Sequence, residues 1–514
     1  MRLTVGVVGA GAMGTGIAQV AAVAGHRVLL ADAVPGAAGR GVVAIRDRVM
    51  AQVARGRLDV DPDTLDLAAV GSSGGLAALA GCGIVIEAIV EDLAVKRALF
   101  AELERAVGPD CVLASNTSSL SPTALAAGLA HPERLVGLHF FNPVPAMKLV
   151  EVISGLATAP PVADAAADLA IGWGKTVVRS TATPGFIVNR IARPFYAEAW
   201  RVYEEHASVP QVIDVIMTGA GGFRMGPFAL MDLIGHDVNE AVTRSVWAAF
   251  GYDPRFAPSL AQRALVEAGW LGRKSGRGVY GYGDGDSTPP DSPATPATPV
   301  PPTVTEHGGG TSPLRPLLDR NDITTITIST LTTTSATTIS TNTTATDMPG
   351  GAIELPSGAL LIQCDGLTAT ALSAAFERPV IVVDRVLDPV TATAIAVAPS
   401  AGCPPAALAE AVGLLSAAHL AVHVIDDTPG LIVTRTVAML ANLAADAVAC
   451  QVASEADIDT AMRLGVNYPA GPLAWARQWG ISTVLGILDS MEDWYRDGHY
   501  RASPLLRRAA QGHR

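Results

Sequence analysis

The stretch LTVGVVGAGAMGTGIAQVAAVAGHRVLLAD, residues 3–32, decides the fold. LTVGVVG (3–9) is a short, valine-rich apolar run. Residues 13–24 follow with the small-residue pattern of a helix, and HRVLLAD (26–32) is a second apolar run that ends in an acid. Strand, glycine turn, helix and strand make a βαβ unit. In the turn, Gly9 permits the sharp reversal, Gly11 lets the backbone approach a diphosphate, and Gly14 lets helix and strand pack closely. The diphosphate would meet free N–H groups at the helix N-terminus. Asp32 stands where a carboxylate accepts both ribose hydroxyls and repels a 2′-phosphate, which predicts NAD rather than NADP. A plain glycine turn with a structural surface Asp32 is the alternative. Val5 to Ala24 is apolar enough to suggest a membrane span, but the turn explains its glycines and no aromatic or cationic anchors flank it.

Outward from this unit, IVIEAIV (84–90), CVLASNT (111–117), RLVGLHFF (134–141) and KLVEVI (148–153) read as further strands separated by helical stretches. The pattern predicts a parallel sheet covered by helices, an α/β Rossmann-type NAD-binding domain over residues 1–184. From 185 to 282 the strand signals stop and an all-helical domain is expected. Residues 283–350 hold a Pro/Ser/Thr stretch and then a Thr-rich tract, with few large apolar side chains; this predicts a linker without a core of its own, disordered outside its proline-rich part. Residues 351–426 carry three short apolar runs and no glycine phosphate loop, and read as a small degenerate α/β segment.

A repeat organises the C-terminal end. ATPGFIVNR (182–190) returns as DTPGLIVTR (427–435), and GAGGFRMGPFALMDLIG (219–235) returns as LGVNYPAGPLAWARQWG (464–480). Gly185 and Gly430, and Pro227 and Pro472, are each separated by 245 residues. A constant offset predicts a second copy of the helical domain over 427–514.

The chain of 514 residues has a formal charge of −12. That excludes a broad basic footprint for nucleic acid, though not a local site for an anionic small molecule. Five scattered cysteines without a CxxC pair fit a reducing, cytoplasmic compartment rather than a disulfide scaffold.

His139 ends one apolar run and Glu151 lies twelve residues on, with Pro143 and Pro145 forcing an irregular connection between them. A carboxylate beside an imidazole fixes its tautomer, as a base that oxidises an alcohol requires. Ser118, within SNTSSL after a strand, sits where ligands bind in such sheets. Asn189, early in the helical domain, is a candidate donor to a carbonyl. Each has a structural reading too: His139 as a strand-end histidine, Glu151 as a solvated charge, the serines as helix caps, Asn189 as a helix-end hydrogen bond. His419 and His423 would share a face if helical, but without a third ligand no metal site is predicted. Trp475 and Trp479 share helical spacing and read as packing residues.

With GVVGAGAMGTGIAQ, IVIEAIVEDLAVK, LASNTSSLSPT, GLHFFNPVPAMKLVEVI, TPGFIVNR, MGPFALMDLIG and RKSGRGVYGY on the page, the chain resembles the 3-hydroxyacyl-CoA dehydrogenase family. The likeness is strongest to its bacterial 3-hydroxybutyryl-CoA branch and to the long, two-copy enzymes acting on 3-hydroxyadipyl-CoA in phenylacetate degradation. The resemblance implies an NAD-dependent oxidoreductase of fatty acid or phenylacetate metabolism that interconverts 3-hydroxyacyl-CoA and 3-oxoacyl-CoA thioesters. It implies that His139 is the general base and Glu151 its orienting partner. It puts Ser118 and Asn189 on the substrate's 3-oxygen and thioester region, and Asp32, Glu91, Lys96 and Asn142 at NAD positions. Shorter members are typically dimers. The second copy has Thr434 in place of Asn189 and no HFFNP equivalent, so it resembles a scaffold that replaces or supplements partner-subunit contacts in a possible homo-oligomer. Two rival readings are an NAD-dependent dehydrogenase of a free β-hydroxy acid and a non-catalytic NAD-binding protein.

Overall fold

The computed structural model describes residues 3–70, 75–283, 292–307, 312–320, 327–331 and 351–512, in two units: Met1–Ile191 with Ala447–Asn467, and Ala192–Asp446 with Tyr468–Arg514. Among the described residues no helix is long and apolar enough to cross a membrane.

The first unit runs β1 (Thr4–Val8), α1 (Ala12–Val23), β2 (Arg27–Ala31), α2 (Ala37–Ala54), β3 (Leu67–Ala69), β4 (Ile84–Glu87), α3 (Leu93–Ala106), β5 (Val112–Ser115), α4 (Pro122–Ala126), β6 (Leu135–Phe140), β7 (Leu149–Ser154), α5 (Pro160–Gly172), β8 (Thr176–Thr181) and α6 (Val188–Ile191). The sheet order is β3-β2-β1-β4-β5-β6-β7-β8. Val5, Val7, Ile86 and Val136 pack against Ile17, Ile45 and Ala166 of α1, α2 and α5 on one face. Val85 and Leu113 pack against Phe100, Leu103 and Leu125 of α3 and α4 on the other. Burial on both faces explains the continuous apolar runs. The all-parallel expectation fails at one place: β7 is antiparallel to β6. Residues 141–148 between them are too few for a parallel crossover.

The second unit begins with helices α7 (Arg193–Glu204), α8 (Pro210–Gly219), α9 (Pro227–Ile234), α10 (His236–Ala249) and α11 (Leu260–Glu267). It continues with β9 (Thr303–His307), α12 (Arg315–Leu318), β10 (Thr327–Leu331), β11 (Ile353–Glu354), β12 (Leu360–Gln363), α13 (Ala369–Phe376), β13 (Val380–Val383), β14 (Ala394–Pro399), α14 (Pro405–Ala417) and β15 (Ala421–Val424). Helices α15 (Val433–Ala449), α16 (Glu455–Gly465), α17 (Pro472–Trp479), α18 (Ile481–Tyr495) and α19 (Pro504–Ala510) form the second helical copy. Its α16 lies in the first unit, on β7, β8 and α6. In the same way α8, its equivalent at the 245-residue offset, packs on β14.

Two expectations are corrected here. The segment read as a coreless linker contributes β9 and β10 to a seven-stranded sheet, order β10-β9-β11-β12-β13-β14-β15. Its few apolar residues suffice because Val304, Leu314, Leu317 and Leu318 are all buried. The proline-rich part is pinned as well: the Thr295 N–H donates to the Val422 carbonyl at 2.8 Å, and the Thr298 hydroxyl donates to the Ala409 carbonyl. Gly413 allows this approach, since a Cβ there would lie 2.3 Å from the Pro299 carbonyl oxygen. The rest of the linker reading, residues 284–291, 308–311, 321–326 and 332–350, lies outside the described residues. The α/β segment is therefore larger than 351–426. His419 and His423 share no helix face either: His419 is in a turn with φ +57° and His423 is on β15. Trp475 is core, packed on Phe223.

Candidate active site

The antiparallel β6–β7 pair sets His139 directly opposite Glu151. Hairpin register thus brings the two together, and the prolines in the connection only shape it. His139 Nδ1 lies 2.6 Å from Glu151 Oε2. A carboxylate only accepts, so Nδ1–H donates and Nε2 is left as the acceptor. Glu151 is fully buried, and its Oε1 accepts the backbone N–H groups of Ile187 and Val188, each at 3.1 Å. One carboxylate therefore orients the imidazole and fastens the start of α6. The rings of Phe141 and Phe186 flank His139 at 4.5 and 6.0 Å between centroids.

Asn189 on α6 donates from Nδ2 to the Ser118 carbonyl at 3.2 Å. The Ser118 N–H in turn donates to Glu91 Oε1 at 2.9 Å, beside the Thr117 hydroxyl at 2.7 Å and the Ser119 N–H at 3.0 Å. Lys96 bridges Glu91 at 3.0 Å and Glu87 at 2.7 Å. Burial pushes the Glu91 carboxyl up, but the Lys96 ammonium and the bonds from Thr117 and Ser118 outweigh it and hold the group down at about 2. Glu87, fully buried, also accepts the Ser115 hydroxyl at 2.6 Å.

The dinucleotide turn fits its expected ligand. A Cβ on Gly9 would lie 2.4 Å from the Ala88 carbonyl oxygen and one on Gly14 would lie 1.7 Å from the Gly9 carbonyl oxygen, whereas one on Gly11 would meet nothing within 4 Å. Gly11 therefore leaves the space a diphosphate needs. Helix α1 has no side-chain cap and no acid in its first turn, so its terminal N–H groups suit an anion. Asp32 accepts the Ala10 N–H at 2.6 Å and the Val34 N–H at 2.8 Å while staying partly exposed at the end of β2. Asn142 is exposed and lines a cavity of about 510 Å³ with Ala12, Gly16, Arg48 and Arg57. Lys175 holds that loop by donating to the Val144 and Met147 carbonyls at 2.5 and 2.8 Å.

The structure thus gathers the four catalytic candidates as two bonded pairs, His139–Glu151 and Ser118–Asn189, with Glu91 bonded to Ser118. Lys96 is only 1% exposed, with its ammonium paired to Glu91 and Glu87. Sequence reading passed over Glu87, Asn116 and Lys175. Glu87 left a signal, an acid inside an apolar strand that needs a partner. Asn116, whose Oδ1 accepts the Phe140 N–H at 2.9 Å, and Lys175 left none in spacing.

Comparison with known proteins matches residues 4–183 to the 3-hydroxyacyl-CoA dehydrogenase NAD binding domain and residues 185–282 and 430–514 to the C-terminal domain of the same family. The chain belongs to the 3-hydroxyacyl-CoA dehydrogenase family. It is an NAD-dependent oxidoreductase of 3-hydroxyacyl-CoA thioesters, which sets aside the free-acid and non-catalytic readings. Residues 361–429 match the 3-hydroxybutyryl-CoA dehydrogenase reduced Rossmann-fold domain. The chain is 43% identical to 3-hydroxyadipyl-CoA dehydrogenase of Escherichia coli, over 99% of this chain and 97% of that one. It is 41% identical to a probable 3-hydroxybutyryl-CoA dehydrogenase of Bacillus subtilis, over 54% of this chain and 96% of that one. A crystal structure of 3-hydroxybutyryl-CoA dehydrogenase from E. coli superposes with a TM-score of 0.86 at 42% identity, covering 99% of this chain and 98% of that one.

Within this dehydrogenase the reduced Rossmann domain carries different residues at the positions equivalent to the His139–Glu151 couple. Strands β12–β15 repeat the parallel, antiparallel, parallel pairing of β5–β8. The 245-residue offset carries His139 onto Asp384 and Glu151 onto Ala396, which again face each other across the hairpin: the Asp384 N–H donates to the Ala396 carbonyl at 2.9 Å. Asp384 is fully buried and accepts the N–H groups of Ile432, Val433 and Thr434 at 2.8–3.0 Å and the Thr434 hydroxyl at 2.7 Å. It keeps the helix-fastening half of Glu151's work with no imidazole beside it. The missing HFFNP equivalent is VDRVLD (383–388) in its place.

Proposed function

We propose that His139 is the general base, that Glu151 orients it, and that Ser118 and Asn189 hold the 3-oxygen and thioester region of the substrate. The observation that carries this is the 2.6 Å bond from His139 Nδ1 to a fully buried carboxylate. It leaves Nε2 to take the 3-hydroxyl proton, or to return it in the reverse direction. NAD, when bound, supplies the hydride acceptor. Asp32 would hold its ribose, Gly9, Gly11 and Gly14 would shape the diphosphate site, and Glu91, Lys96 and Asn142 would complete the NAD site. Glu91 also fixes the Ser118 backbone, so cofactor and substrate contacts share one loop. Donors near the substrate oxygens stabilise charge that grows in the transition state. Arg48 and Arg57, with Gln19 and Gln52, line the cavity beside α1 and suit the phosphates of CoA.

We infer 3-hydroxyadipyl-CoA as the favoured substrate, with 3-hydroxybutyryl-CoA a poorer one. The support is the E. coli relative of that name, 43% identical over both copies; the E. coli structure that also spans both copies carries the 3-hydroxybutyryl name, so the test compares the two thioesters directly. Helix α16 of the second copy packs on β7, β8 and α6, which supports a scaffold role in which the second copy replaces or supplements partner-subunit contacts. Five unpaired cysteines support a cytoplasmic enzyme. The test is NAD⁺ reduction at 340 nm with 3-hydroxyadipyl-CoA, 3-hydroxybutyryl-CoA and free 3-hydroxybutyrate. Turnover of both thioesters, the first with the higher kcat/KM, supports the reading; a preference for the butyryl thioester refutes the adipyl assignment.

A further inference from the structure

Helix α16 brings a piece of the second copy to the catalytic couple. A Cβ on Gly465 would lie 2.7 Å from Leu149 Cδ2, 3.0 Å from Val188 Cγ2 and 3.6 Å from Phe141 Cε1. The Phe141 ring lies 4.5 Å from that of His139, tilted by 49°, and Val188 is one of the two residues held by Glu151. The glycine therefore allows the C-terminal end of α16 to close on the residues around the base. The next two residues are Val466, half-buried, and Asn467, which is exposed with φ +56°. Glycine and asparagine are the residues that take this left-handed backbone most readily, so the position accepts either.

The relic copy gives an internal control. At the 245-residue offset Gly465, Val466 and Asn467 correspond to Ala220, Gly221 and Gly222, at the end of α8 beside the inert site. The Ala220 carbonyl accepts the Leu387 N–H at 3.0 Å there, and Gly222 has φ +64°, the same conformation as Asn467. Where the His/Glu couple is gone, both following positions are glycine. Where it is present, they carry an apolar and an amide side chain, although glycine would fit the backbone more easily.

Resting on the substrate reading above, we propose that Val466 and Asn467 of the second copy wall the acyl end of the active site. Val466 lies along the methylenes and the Asn467 amide donates to the oxygen-bearing far end of a dicarboxylic acyl chain. The second copy is then a specificity element as well as a scaffold.

The experiment compares full-length enzyme with Asn467→Asp and Asn467→Gly, reducing 3-oxoadipyl-CoA and 3-oxohexanoyl-CoA with NADH. The two acyl chains have equal length and differ in the terminal carboxylate. Glycine relieves the left-handed strain, and aspartate tolerates it, so both variants should fold. The ratio of kcat/KM, adipyl over hexanoyl, is expected to fall about tenfold or more in Asn467→Asp, where like charges meet, and several-fold in Asn467→Gly. A ratio within twofold of the parent in both variants overturns the inference while leaving the dehydrogenase reading intact. Parent enzyme that reduces neither thioester overturns the substrate reading, and this inference with it.

Discussion

Glu151→Gln sets two demands on one side chain against each other. The carboxylate accepts three bonds, from His139 Nδ1 and from the N–H groups of Ile187 and Val188. Glutamine has one accepting oxygen and one donating NH₂. If the oxygen keeps the two backbone N–H groups, the NH₂ donates to His139 Nδ1 and moves the ring proton to Nε2. The nitrogen that should accept the substrate proton is then blocked. If the oxygen turns to His139 instead, the NH₂ faces two backbone donors in a fully buried place, a mismatch of about 1–3 kcal/mol. The first arrangement keeps the fold and the second costs more, so the blocked tautomer should prevail. Loss of general-base catalysis is worth about 10²–10⁴-fold, or roughly 2.7–5.5 kcal/mol of barrier. The assay is reduction of NAD⁺ at 340 nm by 3-hydroxybutyryl-CoA, the direction in which Nε2 accepts the hydroxyl proton, with NADH affinity followed by fluorescence. We expect kcat to drop at least about a hundredfold with NADH binding within about threefold of the parent. A variant that keeps kcat within tenfold would refute the tautomer argument.

Three further outcomes follow from the geometry. Lys96→Met leaves Glu87 and Glu91 without their cation, and breaking such a buried pair costs about 3–5 kcal/mol; the thermal midpoint should fall by roughly 10 °C, and a change below about 2 °C contradicts the network. Glu91 is held at about 2 against 4.5 for an ordinary carboxyl, so its charged form favours the folded state above pH 4.5 and that advantage disappears as pH falls towards 2; the stability difference between parent and Glu91→Gln should be constant at neutral pH and shrink through that acid window. Gly465→Ala places a methyl 2.7 Å from Leu149 Cδ2 and 3.0 Å from Val188 Cγ2; denaturant unfolding should show about 1–3 kcal/mol lost, and no loss would mean that α16 does not need the close approach.

Local spacing made part of this molecule readable. Gly9, Gly11, Gly14 and Asp32 belong to one βαβ unit of thirty residues, although the close approach that Gly9 permits is to Ala88, beyond it. The repeat was equally plain, because TPG and GP turns recur at one offset. The pairing of His139 with Glu151 was not derivable from spacing: it depends on the β6–β7 register, and the resemblance alone named it. The same offset, run forward from 139 and 151 to 384 and 396, shows Asp384 and Ala396 where the first copy has His139 and Glu151. The linker reading fails because a few large apolar side chains suffice when each is buried, as Val304 on β9 and Leu314, Leu317 and Leu318 at α12 are. The placement of α16 on β7 and β8 left almost no trace, since an amphipathic helix does not say which sheet it will cover. Gly465 was the one hint, a small residue at the end of a helix.

The most direct test of the account is the steady-state reduction of acetoacetyl-CoA by NADH with the parent enzyme and with His139→Gln, alongside free acetoacetate. The account predicts turnover of the thioester and none of the free acid by the parent, and a loss of at least about a hundredfold in kcat for the variant with NADH binding kept. Activity of His139→Gln within tenfold of the parent would contradict the claim that the His139–Glu151 couple carries the chemistry.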